Sequence, residues 1–148
     1  LNFVNTQMAR KIAADGEGAE HLLVCTVQGA KDEQSARKLA KSVISSSLVK
    51  AAFFGKDANW GRILCAMGYS GELFEPSKVS VSFTNSKGCI KVFDHGTPVD
   101  FDEDKAKILL TEKEVGILVL LEEGEASGTA WGCDLTYEYV KINGDYRT

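Results

Sequence analysis

The sequence is poor in proline and histidine, with two of each, and has four cysteines, no apolar run longer than a strand and no surplus of basic residues. Each shortage removes a class of protein. The longest apolar runs, such as residues 116–121, fall far short of the roughly 20 residues that a bilayer-spanning helix needs, so no membrane partner is expected. Seventeen basic against 21 acidic residues leave a net charge of −4, a field that repels phosphate backbones, so no nucleic-acid partner is expected. Cysteines 25, 65, 89 and 133 form no CxxC pair and the two histidines lie far apart, which argues against a metal site and a disulfide framework. Buried, reduced thiols in a reducing compartment are the expectation, and with them a cytoplasmic location. Repeats, heptads and proline-rich linkers are absent too, so residues 1–148 are read as a single domain. Leu1 is not a start methionine and no basic-then-apolar signal segment follows it, so the chain is expected to begin inside a longer gene product, with part of an active site upstream.

What is present suffices for a folded core. A chain of 148 residues with 44% hydrophobic and 26% charged residues buries about two thirds of its unfolded surface without staples. Residues 3–14 place Phe3, Val4, Met8, Ile12 and Ala13 on one helical face. Residues 21–27 are apolar on both alternating faces, which suits a strand covered on both sides and closed by Gly29. Ala36, Leu39, Ala40, Val43 and Ile44 recur at helical spacing behind Asp32 and Glu33, with Glu33 four before Arg37. A short helix over 48–54 ends at Gly55, and Asp57 or Asn59 caps another that runs through Gly68. Val79, Val81 and Phe83 alternate with serines and lead through 85–88 into a second run at 89–93, a hairpin pattern. A helix over 102–110, a strand over 115–121 that is apolar on both faces and a strand over 126–135 follow; 136–142 fits strand or helix, with helix preferred. Strands alternate with helices and a hairpin then interrupts, so the class is α+β with a mixed sheet rather than a purely parallel one.

Three stretches have the composition of a binding site. In Asp15-Gly16-Glu17-Gly18-Ala19, glycines on both sides of Glu17 allow a close backbone approach and let the carboxylate point into a cleft, where it would suit a substrate ammonium group. A helix C-cap with a solvated acid is the simpler alternative. In residues 47–63, Trp60 offers a flat apolar wall and Arg62 a fork for a carboxylate; equally, Trp60 can pack in the core and Arg62 form an internal ion pair. The tail from Trp131 onward is rich in aromatic and hydrogen-bonding side chains and reads as docked, with Asn143 and Thr148 as neutral groups able to orient a polar ligand. No nucleophile elbow surrounds Ser45–Ser47, neither His21 nor His95 stands in a triad order, and Gly16 and Gly18 do not complete a GxGxxG loop.

Taken together, DGEGA at 15–19, SLVKAAFFGKDANWGRI at 47–63 and WGCDLTYEYVKINGDYRT at 131–148 resemble the C-terminal part of the ornithine acetyltransferase, or glutamate N-acetyltransferase, family. The likeness runs in order over nearly the whole chain. It implies the fold of the self-cleaving N-terminal-nucleophile acetyltransferases, of which this chain is a C-terminal segment of the β chain with a mixed sheet and flanking helices. In that family a precursor cleaves itself before a threonine, which becomes the nucleophile of the β chain; Leu1 does not match it, so this chain holds no catalytic residue and is expected to be inactive alone. Thr148 matches the family's C-terminus.

The resemblance implies acetyl transfer from N2-acetyl-L-ornithine to L-glutamate in arginine biosynthesis through an acetyl-threonine intermediate. It implies substrate-binding roles for Glu17, Asn143 and Thr148, with Lys50, Asn59 and Arg62 building the pocket rather than touching substrate. No cofactor is implied, though acetyl-CoA is a second acetyl donor in bifunctional members. The α chain of the same precursor is the implied partner, in a heterotetramer of two α and two β chains. Two other readings remain open: a non-catalytic amino-acid-binding or assembly domain, and a related self-cleaving aminopeptidase. Independently of the resemblance, the unpaired cysteines predict four free thiols, seen as four alkyl groups in intact-mass analysis after alkylation without reductant; two alkyl groups fewer per bridge would disprove it.

Overall fold

The computed structural model describes residues 1–146. A six-stranded mixed sheet organises the chain, with strands β1 (Leu22–Ala30), β2 (Ser80–Asn85), β3 (Gly88–Asp94), β4 (Thr97–Pro98), β5 (Glu114–Leu120) and β6 (Ala126–Cys133) in the spatial order β4-β3-β2-β5-β1-β6. Central β1 pairs in parallel with β5 and antiparallel with β6, while β2 pairs antiparallel with β3 and β5. Asn85 Oδ1 accepts from the Lys87 and Gly88 amides and closes the two-residue loop of the β2–β3 hairpin. The α+β class and the hairpin agree with the sequence pattern.

Helices α2 (Glu33–Ser45), α3 (Ser47–Phe54) and α4 (Trp60–Gly68) follow β1. Each has its N-cap side chain: Asp32 accepts from the Ser35 amide, Ser46 from Val49 and Asn59 from Arg62. Leu39, Ala40 and Val43 of α2, Val49 and Phe53 of α3, and Ile63 and Met67 of α4 are buried in one core with Leu23, Cys25 and Val27 of β1 and Val115, Ile117 and Val119 of β5. Phe53 meets Phe83 of β2 edge to face, with ring centroids 5.6 Å apart. Two further helices, α5 (Glu103–Leu109) and α6 (Tyr137–Asp145), complete the set with α1 (Asn2–Ala14). No helix among the described residues is long and apolar enough to cross a membrane.

Several expectations are corrected here. β1 and β5 bury alternate residues rather than both faces: Val24, Thr26, Gly116 and Leu118 are half-buried and line an open cleft of about 610 Å³. α1 forms as expected, yet none of its residues is buried; Phe3 and Ile12 are 76% and 72% exposed. It lies beside β6, but its apolar stripe stays largely exposed, and the Arg10–Glu114 ion pair at 2.6 Å ties it to the start of β5. β1 runs through Gly29 to Ala30, with an irregularity in its pairing to β6 between Gln28 and Ala30. The helix preferred over 136–142 does form: α6 starts at Tyr137, because Thr136 caps it by accepting from the Tyr139 amide. All four cysteines are free, but only Cys25 is buried, its thiol pushed up to about 12 by desolvation; Cys65 and Cys89 are exposed.

Glu72 fastens the loop after α4 to α2, accepting from Lys38 Nζ and Ser35 Oγ, each at 2.8 Å, with Lys31 Nζ at 3.5 Å. The Lys38 ammonium and then the Ser35 hydroxyl hold its carboxyl down to about 2. A lowered carboxyl pKa gives stability that is present above the ordinary glutamate range and is lost as pH falls through the folded value. Glu72→Gln is therefore expected to melt lower than wild type near neutral pH, with the two melting temperatures converging as pH falls from about 4.5 towards 2; a gap independent of pH would refute this reading.

Candidate functional site

The three motifs converge at one corner of the sheet. Leu22 opposes Cys133 in the antiparallel β1–β6 pair, so the residues just before β1 and just after β6 leave the sheet side by side. Asp134 stands at this exit with its side chain fully buried. Its Oδ1 accepts from the Glu20 and His21 amides at 2.9 and 3.0 Å, and its Oδ2 lies 2.8 Å from His21 Nδ1. A carboxylate offers only acceptors, so Nδ1 carries the hydrogen. The Asp134 amide in turn donates to the His21 carbonyl.

Next along the chain, the Leu135 amide donates to the Lys50 carbonyl, and Tyr137 meets Phe54 edge to face at 5.0 Å, which joins the α3 motif to the tail. Thr136 Oγ1 donates to the Gly18 carbonyl at 2.6 Å. The glycines of the first motif permit this fit. A Cβ on Gly16 would stand 2.5 Å from Cys133 Sγ, and one on Gly18, whose φ is +67°, would stand 2.8 Å from the Tyr139 amide nitrogen. Between them Glu17 is exposed, and its Oε2 accepts from Asn143 Nδ2 at 2.9 Å, across 126 residues of sequence. Asn143 Nδ2 also donates to the Tyr139 carbonyl one turn back in α6.

Of the residues singled out from sequence, Glu17 and Asn143 are thus brought together, and Thr148 lies outside the described residues. Glu17 lines none of the larger clefts among the described residues. The clefts of about 610 Å³ on the sheet face and about 670 Å³ beside Gly16, Lys50 and Cys133 are lined by neither Glu17 nor Asn143. Trp60 stacks on Phe93 at 4.9 Å, the packing alternative. Arg62 forms no ion pair among the described residues; its Nη1 donates to the Leu48 carbonyl at 2.8 Å, tying α4 to α3. Asn59 is spent on the α4 cap and on Asp57.

Sequence reasoning missed the His21–Asp134 pair. A histidine opening an apolar strand and an aspartate closing another were its only signals, and nothing in sequence gave the register that brings them together. Glu20, His21 and Asp134 form the single group of three potential metal-ligating side chains found among the described residues. Both Asp134 oxygens face N–H donors, however, which is the surrounding of a hydrogen-bonded carboxylate rather than of an ion's ligand.

Comparison with known proteins agrees with the motifs. The chain is 53% identical over its whole length to the arginine biosynthesis bifunctional protein ArgJ of Caldanaerobacter subterraneus, of which it spans 37%. It is 51% identical over its whole length to a glutamate N-acetyltransferase of Methanopyrus kandleri, of which it spans 38%. The crystal structure of the arginine biosynthesis bifunctional protein ArgJ from Bacillus halodurans superposes with a TM-score of 0.89 at 41% identity, covering 98% of this chain and 70% of that one. The chain spans less than two fifths of the length of these two curated relatives. With residues 1–148 also matching the ArgJ family profile from end to end, the chain belongs to the ArgJ family.

Proposed function

We propose that this chain is the C-terminal part of the β chain of a glutamate N-acetyltransferase and contributes one side of its amino-acid site. The observation that carries this reading is the Glu17–Asn143 pair: a carboxylate and an amide from opposite ends of the chain, held at 2.9 Å on an exposed corner. The second Glu17 oxygen is suited to accept a hydrogen bond from the α-nitrogen that both substrates present, the amide N–H of N-acetylornithine and the amine of glutamate. Thr148 is proposed to complete this set. The remaining walls come from the front of the β chain and from the α chain, in a cytoplasmic assembly of two α and two β chains. Residues 1–148 act as one domain, without a cofactor; acetyl-CoA is a substrate only if the whole enzyme is bifunctional.

In the proposed reaction the hydroxyl of the β chain's N-terminal threonine, which lies outside this chain, attacks the acetyl carbonyl of N-acetylornithine. The resulting tetrahedral intermediate expels ornithine, whose amine leaves with a proton, and an acetyl ester remains on the threonine. The amine of glutamate then attacks that ester, and the threonine oxygen leaves and recovers its proton. Splitting one amide exchange into two steps lets a single set of oxyanion donors serve both. Glu17 and Asn143 act by holding the α-amino end still in each step, which lowers the barrier through orientation.

Two experiments test this reading. The full-length precursor, incubated with N-acetylornithine and quenched before glutamate is added, is expected to separate into two chains with one acetyl group on the terminal threonine of the β chain. Folded protein that neither cleaves nor becomes acetylated would favour an amino-acid-binding or assembly module, and peptide hydrolysis without acetyl transfer an aminopeptidase. In the same enzyme, Glu17→Ala is expected to lower kcat/KM by roughly tenfold or more while leaving Tm unchanged, because it removes an exposed hydrogen bond from a carboxylate to the substrate. Wild-type kinetics would take Glu17 out of the site.

A further inference from the structure

The most deeply buried polar group of this corner touches no proposed ligand contact. We infer that the His21–Asp134 pair is a positioning device that sets the distance between Glu17 and Asn143, an inference that rests on the substrate-site reading above. Asp134 receives three N–H donors, and all three come from the consecutive residues Glu20 and His21. A carboxylate with no solvent exposure is tolerated only when so partnered. The pair therefore fixes the point at which the 16–20 loop enters β1.

The same pair fixes the root of α6. Asp134 precedes Thr136 by two residues, and Thr136 both caps the helix and donates to the Gly18 carbonyl. None of the residues of α6 is buried, so its direction depends on polar ties at its first turn and on the Tyr137–Phe54 contact rather than on core packing. Asn143 stands seven residues beyond the cap, roughly 10 Å along the axis, where a tilt of about 10° at the root displaces it by about 2 Å. A shift of that size carries a substrate-holding group out of hydrogen-bond reach and so weakens binding. The buried pair thus protects a short lever whose far end makes the contact. His21 and Asp134 touch no substrate in this arrangement and act only through Glu17 and Asn143.

The test uses the full-length enzyme with four variants: Glu17→Ala, His21→Phe, His21→Asn and the double variant Glu17→Ala/His21→Phe. Phenylalanine fills the buried volume without a donor to Asp134, whereas asparagine retains an N–H near the Nδ1 position. His21→Phe is expected to raise KM for N-acetylornithine and for glutamate about tenfold, with a smaller change in kcat, and His21→Asn to restore KM to within about twofold of wild type. In the double variant, the His21 change is expected to add less than about twofold to the Glu17→Ala effect, since neighbours acting through one contact are not additive. A lower Tm with unchanged KM, or losses that multiply in the double variant, would overturn the inference and leave the substrate site standing. If Glu17→Ala itself has wild-type KM and kcat, the substrate-site reading falls and this inference with it. Should His21→Phe fail to fold, His21→Asn decides alone: KM within about twofold of wild type supports the inference, and a tenfold rise at unchanged Tm overturns it.

Discussion

The pairing register of β1 is the constraint on which the rest of the structure depends. β1 lies between β5 and β6, and its alternate residues Leu23, Cys25 and Val27 are wholly buried beneath the helices that follow it. Burial of one face locks the register, because a slip of one residue would turn every apolar side chain away from the core. Once Leu22 opposes Cys133, the chain before β1 and the chain after β6 have to emerge together. The meeting of Glu17 with Asn143 follows from hydrophobic burial many residues away.

Much of this architecture was legible because it rests on local chemistry. The stop at Gly55, the turn at 85–88, the helical spacing from Ala36 to Ile44 and Asn59, one of the two caps offered, each record a short-range preference that appears in the structure. Asp32, read in the first turn, stands one residue earlier as the cap. The convergence of the motifs was legible only through the family resemblance, since no local rule brings residue 17 to residue 143. Arg62 shows the limit of reading chemistry from residue type alone. A guanidinium in a glycine- and aromatic-rich run suits a ligand carboxylate, but a nearby carbonyl, that of Leu48, occupies one of its donors. The two glycines beside Glu17 were correctly suspected of allowing a close approach; what approaches, however, is Cys133 and the first turn of α6, not a ligand.

Where apolar residues meet no partner, the reason lies in extent rather than in pattern. The stripe of α1 and the half-buried face of β1 and β5 have the periodicity of buried surfaces, and neither is fully covered among the described residues. A chain spanning 37% of a relative's length presents such faces without any conflict between sequence and fold.

The β1–β6 ladder also limits where this chain can change length. Its irregularity sits at Gln28/Ala30, the end of the ladder remote from Asp134, whereas the Leu22/Cys133 end pairs without interruption. Because side chains alternate along a strand, an insertion or deletion of one residue between Gly128 and Cys133 would rotate Asp134 to the opposite side of the sheet and detach it from His21. A gain or loss of a residue in the β5–β6 turn or at the bulge would leave that pairing intact. In this chain β6 is a ruler of fixed length, measured from Asp134 backwards.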